Sequence, residues 1–346
     1  MRSASPSSKR DLRQEITDQI IRALEQGTAP WQKPWQAGAL ELPFNPATGK
    51  PYRGGNVIQL MIEASSHGYE DPRWLTYRQA HENGWQVRRG EQGTHVEFWQ
   101  FPDRAGKPGS EAKPEVADAQ RDSFIYRVYT VFNAKQIDGI PPHSPRVRQE
   151  WEVVESGQTI LDSSGARILH DQSDRAFYDR RNDTIHLLPK GAFRTAGDYF
   201  GTALHELCHW AGHRDRLNRE TLNESYRFGD LNYAREELRA ELASVFLLAE
   251  RGIPHNADTH AAYLNSWLEA LRNDKHEIFR AARDAHKAAD LLLQLELHKS
   301  LDKALAEVNQ PLALGTQIVE PELKPAATAR LAFNAKSESH APQMDP

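Results

Sequence analysis

The sequence predicts an α+β protein of two domains, and three observations carry that expectation. At 346 residues the chain is long for one core and comfortable for two. Segments with helical spacing of apolar residues are interspersed with short strand-like runs. Between them IPPHSPRVRQ, residues 140–149, is Pro-rich and basic, as a linker would be. The division gives one domain over 9–140, a second over 150–300, and a disordered tail over 301–346, rich in Pro, Ala and Ser.

In order along the chain, Leu12, Ile16, Ile20 and Leu24 recur at helical spacing within 9–26, and Gly27 follows as a C-terminal stop. Residues 57–67 and 76–83 read as helices, VEFWQF (96–101) and FIYRVYTVFN (124–133) as strands, and 102–122 as a solvated loop. Beyond the linker, Phe177-Tyr178 and Thr184–Leu188 read as a hairpin turning at Arg181-Asn182-Asp183. Helices are expected at about 196–211, 232–251, 260–272 and 275–297.

Composition excludes several classes. No stretch approaches the roughly 18 apolar residues of a membrane span, and MRSASPSSKRDLRQE lacks the apolar core of a secretory signal. Cys208 is the single cysteine, so no internal disulfide forms, and a cytoplasmic protein is expected. Residues 1–140 hold 18 Lys and Arg against 17 Asp and Glu, leaving 25 against 31 for the remainder. Any nucleic acid must therefore be held by a local groove rather than by bulk charge.

HELCHW, residues 205–210, carries the chemistry. HExxH sets His205 and His209 at i and i+4, about 6 Å apart along one helix face, where both imidazoles reach one zinc. Glu206 is then placed to act as the base on a water. Thr195 and Asp198 form a capping box for this helix, and Tyr199, Phe200, Ala203, Leu204 and Leu207 give it an apolar side. A catalytic zinc needs a third protein ligand. In AREELRAELASVFLLAERGIP, Glu237 and Glu241 lie at i and i+4, so one can bind metal while the other receives a histidine N–H. Glu237 is taken as ligand and Glu241 as orienter, with the reverse open. His213 falls outside the longer three-histidine spacing, and Cys208 reads as packing. The strand in TIHLLP can expose an edge above the metal, where an extended peptide pairs, and can equally be a plain core strand, the two readings being compatible.

The first domain is aromatic and locally basic. Five of the eight tryptophans fall at 31, 35, 74, 85 and 99, among Lys33, Arg53, Arg73, Arg78, Arg88 and Arg89. Stacking rings beside a basic track are what single-stranded DNA binding requires, although a tryptophan is more often core than platform. The Gly-rich TGKPYRGGN can bring backbone N–H groups to a phosphate, but it is no Walker loop.

WLTYRQAHENGWQVRRGEQGTHVEFW, VFNAKQIDG, HELCHWAGHRDRLNR and REELRAELASVFL resemble the ArdC antirestriction family of conjugative plasmids, over roughly residues 9–298. The resemblance implies an N-terminal single-stranded-DNA-binding domain and a C-terminal zincin-like metallopeptidase domain with one Zn2+. The implied ligands are His205 and His209, with Glu206 as base and the acidic pair on Glu237 and Glu241. The candidate DNA contacts are Tyr52, Arg53, Trp74, Arg78, Arg88 and Arg89, and residues 1–140 are expected to bind DNA alone. The family's role is to shield incoming plasmid DNA from restriction endonucleases. Two alternatives stay open: a DNA-tethered zinc protease acting on an unknown protein, and a primase-associated single-stranded-DNA-binding accessory of a mobile element. The last lacks an acidic polymerase cluster in this chain.

Overall fold

The computed structural model describes residues 11–27, 29–31, 40–100, 125–145, 148–224, 230–254, 264–298 and 300–309. Helix α1 (Leu12–Glu25) starts where Asp11 accepts the Gln14 backbone N–H, and it buries Ile16, Thr17, Ile20 and Leu24. Strands β1 (Phe44–Asn45) and β2 (Lys50–Pro51) make a short ladder. Helix α2 (Gly55–His67) follows and ends on Gly68 at φ 65°, a left-handed stop suited to glycine. Next come β3 (Trp74–Thr76), α3 (Tyr77–Glu82), β4 (Gln86–Val87), β5 (Thr94–Gln100), β6 (Ile125–Asn133) and β7 (Ile137–Asp138). Thr76 and Gln79 cap α3 reciprocally. An antiparallel sheet runs in the order β3-β6-β5, with Trp74 opposite Asn133 and Thr94 opposite Val131. The loop expected over 102–122 lies outside the described residues.

Helix α4 (Glu150–Ser164), which the sequence reading passed over, opens the second half, followed by β8 (Arg167–Leu169), β9 (Phe177–Asp179) and β10 (Thr184–His186). The expected hairpin is present, but β10 is the middle strand of the order β8-β10-β9. Its two edges are therefore paired, so the reading of TIHLLP as an open edge gives way to that of a core strand. The remaining helices are α5 (Ala196–Ala211), α6 (Glu220–Asn223), α7 (Leu231–Arg251), α8 (Leu264–Asn273), α9 (Glu277–His298) and α10 (Leu301–Val308). Of the tail expected over 301–346, residues 301–308 instead form α10, with Ala304 and Val308 buried; 310–346 lie outside the described residues.

The two halves share one apolar core. A single cluster of buried side chains runs from Ile16, Ile20 and Trp31 through Leu204 and Leu238 to Leu291 and Leu292. Trp31 and Trp267 meet with ring centroids 5.9 Å apart. Gly55 sits so close to α9 that an added Cβ would lie 2.3 Å from Phe279. Polar ties cross the same seam: Thr17 Oγ1 donates to Lys275 O at 2.8 Å, Arg53 pairs with Asp290, and the Gly54 N–H meets His286 Nδ1 at 3.3 Å.

Candidate metal centre

Helix α5 is amphipathic, and that decides where its polar residues point. Thr195 accepts the Asp198 N–H at 3.0 Å, starting the helix. Tyr199, Phe200, Ala203, Leu204 and Leu207 are buried. This packing turns His205 and His209 together toward α7, with ring centroids 4.9 Å apart. On α7, Leu238, Leu242, Val245 and Phe246 enter the core and Glu237 meets the imidazoles.

Glu237 stands 3.3 Å from His205 Nε2 and 3.5 Å from His209 Nε2. One nitrogen from each histidine and one Glu237 oxygen lie within 4.8 Å of one another, and all three residues are buried. Two imidazoles and a carboxylate converging from two packed helices fit a divalent cation, because ligands so spaced need only small movements to share one ion. On the far side of each ring sits another carboxylate. Glu241 lies 3.7 Å from His205 Nδ1, and Glu236 3.2 Å from His209 Nδ1. A carboxylate at Nδ1 keeps the proton there and leaves Nε2 for the centre.

Glu236 is the residue that the sequence reading missed. At about 100° per residue, it and Glu241 flank Glu237 on opposite sides of α7, so both can stand behind a ligand. Arg219 bonds Glu236 through Nε at 3.1 Å and through its terminal nitrogen, and Thr221 Oγ1 donates at 2.6 Å. Burial alone would raise the Glu236 carboxyl, but Arg219 and His209 outweigh it and hold it at about 2. Burial likewise works against the imidazolium of His209, yet Glu237 and Glu236 bring it up to about 9. His205 is also held well above its ordinary value, by Glu237 and Glu241 against burial. The pocket thus carries concentrated negative charge that a divalent cation would satisfy.

Glu206 is buried beside the cluster, and desolvation raises its pKa. The backbone of Tyr178 opposes part of that rise, which places the main chain of β9, an edge strand, beside Glu206. Among the described residues β9 pairs only with β10, and this outer edge has no strand partner. His213 Nδ1 instead accepts the Asp215 N–H at 3.3 Å and takes no part in the cluster. Cys208 is fully buried and its thiol is pushed up by desolvation, as a packing residue's would be.

The six candidate DNA contacts separate by burial. Tyr52 and Trp74 are each 1% exposed, and the Tyr52 hydroxyl donates to the Trp74 carbonyl at 3.0 Å. Their rings belong to the core, which corrects the expectation that they touch DNA. Arg53 is partly exposed beside α9; Arg78, Arg88 and Arg89 are exposed around α3 and β4. Arg78 bonds Glu82 at 2.8 Å and Arg88 bonds Glu91 at 2.7 Å. The exposed ring in that neighbourhood is Tyr77, at 51%, which the sequence reading did not single out.

Residues 10–132 match the N-terminal domain of anti-restriction factor ArdC, and residues 155–284 match a zincin-like metallopeptidase family. Two proteins of Escherichia coli, both named DNA primase TraC, are 44% identical over 335 and 307 residues, which are 92% and 85% of this chain. The chain spans only 31% and 21% of their lengths. An uncharacterized protein of Sinorhizobium fredii, y4eC, is 37% identical over 289 residues, 83% of this chain and 92% of that one. Crystal structures of the antirestriction ArdC protein from the R388 plasmid, Mn(II)-bound and metal-free, align at TM-scores of 0.66 and 0.65 with 38% identity. They cover 84% and 83% of this chain and 99% and 98% of theirs. With both domains matched in sequence and their shared fold matched along nearly the whole length of a solved relative, the chain belongs to the ArdC antirestriction family.

Proposed function

We propose that this protein binds single-stranded DNA and shields it from restriction endonucleases, and that its second half carries a peptidase-competent Zn2+ site. The observation that carries the catalytic part is the convergence of His205, His209 and Glu237 with Glu206 intact beside them. Zn2+ suits two imidazoles and a carboxylate, and the R388 relative has been solved with Mn(II) bound. The bound cation supplies Lewis acidity toward a carbonyl. Glu206, desolvated and raised, takes the proton of the attacking water and returns it to the leaving amine. The outer edge of β9 holds the peptide main chain in extended form. Glu236 and Glu241 keep the imidazole tautomers that face the ion.

DNA binding is supported by the family membership and by the exposed cations Arg78, Arg88 and Arg89 beside Tyr77. A second reading, an accessory to primer synthesis, is favoured by the 44% identity to primases, of which this chain spans under a third. The deciding experiment is a DNA-protection assay with wild type and Glu206→Ala. Persistence of protection in the variant, with DNA affinity and metal intact, supports physical coverage. Loss of protection under the same conditions makes proteolysis the mechanism.

A further inference from the structure

Helix α9 has two unlike faces. Ile278, Ala281, Ala282, Ala285 and Ala289 are buried. On the other side His276, Arg280, Arg283 and Lys287 recur at i, i+4, i+7 and i+11, which is one helical stripe, and each is at least partly exposed. Arg280 and Arg283 line two clefts at once. One, of about 550 Å³, opens toward α1 and the start of α2, where Arg13 and Arg53 face them. The other, of about 340 Å³, is also lined by Arg235 and Lys287.

At the first cleft α2 begins on Gly54, φ 58°, with no side chain capping it, so the positive end of a 13-residue helix adds to the four guanidiniums. Arg53 gives a terminal nitrogen to Asp290, while its buried Nε has no acceptor among the described residues. Arg13 pairs with Glu97 at 2.7 Å and Arg283 with Asp284 at 3.1 Å, so each guanidinium already carries one carboxylate at its edge. Glu97 is the one carboxylate lining the first, and Glu220 and Asp284 line the second. Asp274 and Glu277 hold Arg280 from beside and beneath, Glu277 being 1% exposed. A guanidinium bonded to a carboxylate on one edge keeps N–H groups on the others and is fixed in direction.

We propose that the α9 stripe, with Arg13 and Arg53, forms a continuous phosphate track for one strand of nucleic acid, so that the metallopeptidase half supplies part of the DNA grip. The proposal rests on the single-stranded-DNA reading above and gives it a place. From 276 to 287 the stripe is about 16 Å long at 1.5 Å per residue. With one phosphate per roughly 3.4 Å of stacked strand, that matches about five nucleotides, within the usual site size of such grooves.

The test uses the full chain, a labelled oligothymidine of about 20 nucleotides, and fluorescence anisotropy across a salt series. Arg283→Ala combined with Lys287→Ala should weaken binding on the order of tenfold at about 0.1 M salt. The plot of log K against log salt should become shallower by about 1.4, two contacts at roughly 0.7 each. Arg283→Lys with Lys287→Arg keeps both charges and should keep the wild-type slope, so a fold defect in the alanine pair does not decide the matter. If wild type binds while a folded alanine pair keeps its affinity and slope, the track is refuted and the DNA reading stands. If wild type itself does not bind the oligonucleotide, both fall.

Discussion

Three carboxylates of α7 surround two imidazoles, and their positions set an order of sensitivity. Glu237 approaches both Nε2 atoms, so Glu237→Gln should weaken the metal more than a change at either flanking glutamate, and His205→Ala and His209→Ala should abolish it. Glu236→Gln and Glu241→Gln act only through a ring and should each cost on the order of 10- to 100-fold in metal affinity. Metal analysis and competition titration check the series; an unchanged metal content in both histidine variants would remove the assignment. Glu206→Ala should keep the metal and lower any peptidase rate by a factor of about 10² or more. His286 offers a pH test away from the centre. Burial first, then Arg53, depresses it to about 3. The unfolded chain takes up a proton below about pH 6.5 while the native one does not, so stability is full above that pH. It is lost toward pH 3 at about 1.4 kcal/mol per unit. His286→Gln removes this titration, and its melting temperature should decline less between pH 6 and 4 than that of wild type; a parallel decline would mean that His286 is not the group responsible.

At the scale of elements, what could be read in advance was what is local. HExxH is a spacing within one helix, and the run from Leu238 to Phe246 announces which side of α7 is apolar, so the convergence of His205, His209 and Glu237 was legible. Glu236 was not, because its role depends on Arg219 and Thr221 arriving from another segment. The place of β10 between β8 and β9 depends on pairing with Arg167–Leu169, a stretch too short to declare itself as a strand. Tyr52 and Trp74 show the same limit, since residue type does not say whether a ring is core or platform. Trp74→Ala should cost about 3–5 kcal/mol, so lost DNA binding in that variant should track a lowered melting temperature. Gly55→Ala probes the contact of α2 with α9. Its Cβ would lie 2.3 Å from the Phe279 ring, and overpacking of this kind costs about 1–3 kcal/mol. A melting temperature equal to wild type would mean that the seam yields freely.

The whole molecule departs most from expectation in how its halves meet. A Pro-rich stretch between two motif-bearing segments reads as a tether, yet Ile16, Ile20 and Trp31 lie in one core with Trp267 and Leu291. Cutting after residue 140 would expose those side chains to water. The fragment 1–140, expected from sequence to bind DNA alone, should therefore be poorly folded. Calorimetry of the full chain should give one transition rather than two, and two well-separated transitions would mean that the halves are independent after all.

That common interior makes the molecule a single thermodynamic body, with a consequence for what a ligand at one end can be seen to do at the other. An ion that binds only the native form adds RT ln(1 + [L]/Kd) to its stability, about 2.7 kcal/mol at a hundredfold excess over Kd. Where the core unfolds as one, this increment reaches every amide whose exchange requires global opening. Metal added at His205 and His209 should then slow hydrogen exchange in the core of α1 and α2, helices that contribute no ligand. No movement at the ends of α1 or α2 is needed to explain such protection; shared burial is enough.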